Sequence, residues 1–158
     1  NFPKPPDKPT VSAVAGDGKV TLYWDRVAEN SVDPTLKIKD FEGYKIYKST
    51  DPDFTDALQI TDGSGQKIFY NPTAQFDLIN GISGYFASNP ELIDLTNNAP
   101  FYLGEETGVQ NFYVDNDVIN GRTYYYAVVA YDRGDASKNI FPVFYKTPSL
   151  LPNLILTL

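Results

Sequence analysis

A chain of 158 residues with 12 Tyr, 10 Phe, 12 Pro and 11 Gly, but no Cys, Met or His, offers no thiol for a disulfide and no imidazole base. Its net charge of −7, with no cluster of Lys and Arg, argues against nucleic acid as a partner and disfavours anionic membrane surfaces. No apolar run reaches the ~18–20 residues that span a bilayer, and the absence of Met reads as a mature chain or a fragment. The length predicts one domain, and the aromatic content predicts an all-β fold.

Residues 1–9 carry four prolines and read as an extended lead-in. The domain proper is expected over 10–146. A first strand is predicted over 10–15, a tight turn at Gly16-Asp17-Gly18, and a second strand over 19–25 with Val20, Leu22 and Trp24 inward. Residues 26–40 read as a polar loop. A third strand is predicted over 41–49, with Tyr44 and Ile46 inward and Lys45 and Lys48 marking exposed positions.

Residues 50–110 are dense in turn signals yet hold too many apolar residues for a disordered linker. They read as a folded insertion of about 60 residues, made of short strands and loops that cover one side of the domain. A short helix is expected near 89–95. A strand over 111–115 follows.

The stretch 118–132 opens with the turn Asn120-Gly121 and then runs without a breaker. Tyr124, Tyr126, Val128 and Ala130 share one face; Tyr125, Ala127, Val129 and Tyr131 share the other. Both faces are largely apolar, which predicts a central strand of a covered sheet. After a polar loop at 133–139, residues 140–146 read as the last strand of the domain.

Residues 147–158 form an apolar tail in which Leu151, Leu154, Ile155, Leu156 and Leu158 are candidate interaction residues. Pro148 and Pro152 lack a ladder donor, so the tail should not simply extend the preceding strand. It should dock on its own domain or on a neighbouring subunit, where head-to-tail docking would build a filament.

On these residues the chain resembles a fibronectin type III domain. The lead-in with Val20-Thr21-Leu22-Tyr23-Trp24-Asp25 is similar to its first two strands and core Trp. Residues 41–49 are similar to its strand C, and Val118-Ile119-Asn120-Gly121-Arg122-Thr123-Tyr124 to its E–F turn and tyrosine corner. The corner fits Tyr124 best, with Tyr125 as the alternative. The resemblance implies a two-sheet β-sandwich with core positions at Trp24, Tyr44, Ile46, Tyr124, Tyr126 and Val128. Similar insertion-bearing modules stand near the C-termini of large secreted bacterial proteins. That implies a secreted or cell-surface structural module: a spacer, adhesin part or assembly subunit whose partners are other protein domains or copies of itself. Arg133-Gly134-Asp135 falls on the F–G loop, where adhesive members carry the same tripeptide; an ordinary turn is the competing reading.

Catalysis is not expected. Without His or Cys there is no Ser-His-Asp triad, no Cys nucleophile and no His/Cys zinc site. Glu105 and Glu106 are adjacent in sequence, and no second acid can be placed opposite either. No organic cofactor is expected, and calcium is the ion considered. Asp51, Asp53 and Asp56 put three carboxylates on one loop, and the resemblance brings Asp115 and Asp117 to the same end. Solvated loop acids are the other reading of these five, and of the second acidic set Asp25, Asp33, Asp40, Asp132 and Asp135. Carbohydrate is the alternative partner, because the insertion holds Phe69, Tyr70, Phe76, Tyr85, Phe86, Phe101 and Tyr102. A buried satellite core is the competing reading of those rings.

Overall fold

The computed structural model describes residues 4–52, 54, 59–61, 67–70, 72–86, 101–138, 140, 142 and 154–157, with 59–61, 67–70, 136 and 154–157 described by backbone alone. In chain order its strands are β1 (Val11–Gly16), β2 (Lys19–Trp24), β3 (Phe41–Ser49), β4 (Gln59–Thr61), β5 (Lys67–Tyr70), β6 (Ala74–Asp77), β7 (Gly84–Tyr85), β8 (Tyr102–Gly104), β9 (Phe112–Asp115), β10 (Thr123–Asp132) and β11 (Leu154–Thr157). Every pairing is antiparallel. One sheet has the order β1-β2-β9 and a second β11-β10-β3-β6; β4-β5 and β7-β8 are two-stranded ribbons. The fold is all-β.

The two larger sheets face each other across one apolar core. Val20, Leu22 and Trp24 of β2 point inward on alternate residues and meet Tyr44 and Ile46 of β3 and Tyr124, Tyr126, Val128 and Ala130 of β10. Trp24 lies edge-on to Tyr44, with ring centroids 5.5 Å apart, and stacks on Phe76 of β6. Ile46 pairs with Val128 and Tyr44 with Ala130, so two long strands present matched apolar rows.

The second face of β10 is covered too. Ala127, Val129 and Tyr131 pack with Tyr47 of β3 and with Phe54, Phe101 and Leu103 from the 50–110 region. Asp77 helps hold this cover in place. Its buried carboxylate accepts the backbone N–H groups of Glu105, Glu106 and Thr107 and the Thr107 hydroxyl, while Thr107 Oγ1 also accepts the Asp77 N–H. Gly104, at φ 131°, leaves room for that carboxylate; a Cβ there would stand 2.2 Å from Asp77 Cγ. Gly43 is needed where β6 and the Tyr131 ring close on β3, since its Cβ would lie 2.4 Å from the Phe76 carbonyl oxygen.

Three expectations are corrected. Lys45 is buried, because the outer face of β3 lies under Phe101 and is not wet. Lys48 is largely buried as well, on the inward row. The tail strand β11 pairs with the start of β10, and Ile140 takes part in an isolated bridge to Asp135. Residues 141 and 143–146 lie outside the described residues, as does the helix expected near 89–95. Phe76 joins the main core rather than a satellite cluster. The rings of Phe69 and Tyr70 lie outside what is described.

The turn before β10 is closed by Tyr124, whose hydroxyl accepts the Ile119 N–H at 2.8 Å. Tyr125 lies on the opposite face, against the second cluster. Tyr124→Phe should keep the fold and lose about 1–2 kcal/mol, because the Ile119 N–H loses its partner. Tyr125→Phe should change stability by less than about 0.5 kcal/mol. Urea denaturation of both variants checks this, and equal losses would move the corner away from Tyr124.

Candidate interaction surface

β9 forms one end of its sheet, and its position is fixed by polar contacts at both ends. At the start, the Asn111 side-chain amide donates to Glu29 Oε1 at 2.8 Å, and the Tyr44 hydroxyl donates to the same oxygen at 3.0 Å. Glu29 sits on a single 3-10 turn, Ala28–Asn30, so the 26–40 loop reaches both sheets here. Burial, and then the charge of Glu29, hold the Tyr44 hydroxyl above the usual tyrosine range, so it remains a donor.

At the other end Asp115 is buried and ion-paired to Lys48 Nζ at 3.0 Å. The Tyr126 hydroxyl donates to Asp115 Oδ2 at 2.7 Å, and the Asp117 N–H donates to Oδ1 at 3.0 Å. The Lys48 ammonium also donates to the Asp117 carbonyl and lies 5.1 Å from the Tyr124 ring centroid. Burial, followed by the Asp115 bond, raises the Tyr126 hydroxyl above its ordinary range. Lys48 of β3, Tyr126 of β10 and Asp115 of β9 thus cross-link the two sheets.

Between these anchors the outward residues are apolar. The register aligns Val14 with Thr21 and Val114 in one row, and Ser12 with Tyr23 and Phe112 in the next. Val14 is 58% exposed, Tyr23 49%, Phe112 50% and Val114 39%, which puts four large apolar side chains on the outer face of this sheet. The Val11, Val20, Leu22 and Trp24 side chains of the same strands are buried, so the alternation is apolar on both faces.

Of the five calcium candidates, Asp115 is turned into the Lys48 and Tyr126 bonds, and Asp117 is fully exposed. Asp51 accepts the Ser49 hydroxyl and the Phe54 N–H on its carbonyl; Asp53 and Asp56 lie outside the described residues. Among the described residues no group of three acids is disposed to hold a metal ion. At the opposite end Asp33 Oδ1 accepts the Thr35 and Leu36 N–H groups, Asp132 accepts the Gly134 N–H, and Asp135 accepts the Ser137 N–H and hydroxyl. These acids close turns. Arg133, Gly134 and Asp135 line a shallow groove of about 420 Å³ with Ile38, Ile82, Phe86 and Leu103.

Among the insertion rings, Phe86 and Phe101 pack on the second cluster. Tyr85 is exposed, and its ring meets Tyr102 at 5.1 Å with 55° between the planes, so this pair makes no flat platform. The tail strand β11 pairs with its own β10, Tyr124 opposite Leu156 and Tyr126 opposite Leu154. Leu151 and Leu158 lie outside the described residues. No protein-family model, curated protein or solved structure matches the chain.

Two buried groups escaped the sequence. Lys45 Nζ stands 4.2 Å from the Phe101 ring centroid, and burial lowers its pKa to about 8. Glu42 is fully buried; Asn80 donates to its Oε2 at 2.9 Å, and Oε1 has no hydrogen-bond partner among the described residues. Burial raises its pKa from 4.5 to about 7. Both depend on contacts distant in sequence, so no local pattern marks them.

The Asp115 anchor predicts that Asp115→Ala costs about 2–3 kcal/mol, because Lys48 loses its nearer carboxylate and keeps only Asp117, in a largely buried site. Adding Lys48→Met should recover most of the loss, and a double variant as unstable as the single one would overturn the assignment. The Glu42 carboxyl predicts a pH effect of definite sign. The unfolded chain gives up this proton near 4.5 and the folded chain near 7, so the contribution of the neutral acid is complete below 4.5 and is lost as pH rises through 7. Glu42→Gln should match the wild type near about pH 4 and exceed it in urea midpoint near about pH 8.5. Equal midpoints at both would exclude a buried neutral Glu42.

Proposed function

We propose that this chain is a non-catalytic structural and interaction module of the fibronectin type III kind, working outside the cell or at its surface. It presents the outer face of β1-β2-β9 to another protein. The observation that carries this reading is the exposure of Val14, Tyr23, Phe112 and Val114 on a sheet whose strand β9 is pinned at both ends. An apolar patch of this kind on a small domain is commonly a contact site. The fibronectin-like part of the reading is supported by the sheet orders, by Trp24 in the core and by the Ile119 bond to the Tyr124 hydroxyl. The non-catalytic part is supported by a chain without His or Cys, whose described buried acids mostly close turns or pair with Lys48. A polysaccharide would need several polar groups beside its rings, and this patch offers only the hydroxyls of Ser12 and Thr21 besides that of Tyr23.

Site-specific photo-cross-linking in producing cells tests the reading. A photoreactive residue at Tyr23 or Phe112 should give a discrete protein adduct, and the same residue at Ile79, which is 74% exposed elsewhere, should not. Equal labelling at all three positions, or none at Tyr23 and Phe112, would overturn it.

A further inference from the structure

The outer edge of β9 has backbone groups that no described strand takes up. The Trp24 N–H donates to the Asn111 carbonyl, so residues 111, 113 and 115 turn their backbone toward β2. Alternation then turns the N–H and C=O groups of Phe112 and Val114 to the free side. Both sheets have other edges, but β1 lies against β11 and β6 against β8. Within β9 there is no Pro, no Lys and no bulge, and its single charge is buried against Lys48.

The surroundings say what kind of strand fits. At the Asp115 end stand Asp17, Asp115 and Asp117 with two cations, Lys19 and Lys48. At the Asn111 end stand Asp25 and Glu29 with Arg26, and Lys39 donates to the neighbouring Asn30. The Asp115 end is therefore net acidic, and so is the chain at −7. A second copy would bring its own net charge of −7 against this one. The four apolar side chains offer on the order of a few hundred Å², well under the ~800 Å² per partner of a stable globular interface. A single strand matches that area, because main-chain bonds supply affinity and alternate side chains supply fit.

We infer, resting on the proposed interaction role of this face, that the free edge of β9 takes an extended strand from another polypeptide, apolar at alternate positions and bearing Lys or Arg at its ends. The strand bonds to the backbone of Phe112 and Val114 and extends the row of Tyr23 and Phe112 side chains.

The probe is a short synthetic peptide of alternating valine and threonine with lysine at each end, followed by backbone amide shifts of the folded chain. Shifts should centre on Phe112 and Val114, and a glutamate-ended peptide should bind several-fold more weakly. Val114→Pro removes one outward donor and no bond to β2, so it should keep the melting curve and weaken binding at least about tenfold. Should that variant not fold, a peptide with proline at its central position serves instead and should not bind. Absent or scattered shifts, or full binding by the Val114→Pro chain or by the proline peptide, overturn the inference. Concentration-dependent dimerisation abolished by Val114→Pro overturns it in favour of a second copy. Cross-links at Tyr23 that persist when the peptide does not bind leave the interaction face standing and remove only the added strand.

Discussion

A strand that is apolar on both faces cannot be satisfied by one partner, and β10 is such a strand. Its even-numbered residues need a second sheet, and β1-β2-β9 provides it. Its odd-numbered residues need another cover, and Phe54, Phe101 and Leu103 provide that. The 50–110 region is thus a requirement of the fold, since without it Ala127, Val129 and Tyr131 would meet water. Asp77 serves this requirement: three backbone N–H groups and a hydroxyl converge on one carboxylate, which fixes the loop after β8 against β6.

The same demand governs which charges are buried. Lys48 sits on an inward row and is tolerated because Asp115 meets it from the opposite sheet. Lys45 sits on the covered outer row, where two aromatic faces receive its ammonium, at 4.2 Å and 5.2 Å from the ring centroids. Glu42 has an amide on one oxygen and no described partner on the other, and it responds by holding its proton to higher pH.

The strand at 41–49 was legible to the residue, and β2 and β10 nearly so, because a period of two with aromatic and β-branched residues is a local signal. The inward rows of Trp24, Tyr44, Ile46, Tyr124, Tyr126 and Val128 follow from the same alternation. It also misplaced Lys45 and Lys48, since a lysine in a strand looks like a wet position until its cover or its partner is known. The last strand was expected over 140–146, most of which lies outside the described residues; the pairing of the tail at 154–157 with β10 had no local signal. Of the interaction surface, Tyr23 was legible as the outward alternate of Leu22 and Trp24. What singles β9 out, its free edge and its two anchors, arises from Glu29, Asn111, Lys48 and Asp115, which come from separate parts of the sequence.

The two anchors of β9 also have a mechanical meaning. A load drawn along the strand would stretch its four-residue ladder with β2 lengthwise, so the bonds share it and do not open one after another. At the Asp115 end the load passes through Lys48 and Tyr126 into β3 and β10, the longest pair in the molecule. At the Asn111 end it passes through Glu29 to Tyr44 of the same β3. Tension on the rim of one sheet is therefore carried by the middle of the other, an arrangement suited to a tether under pull.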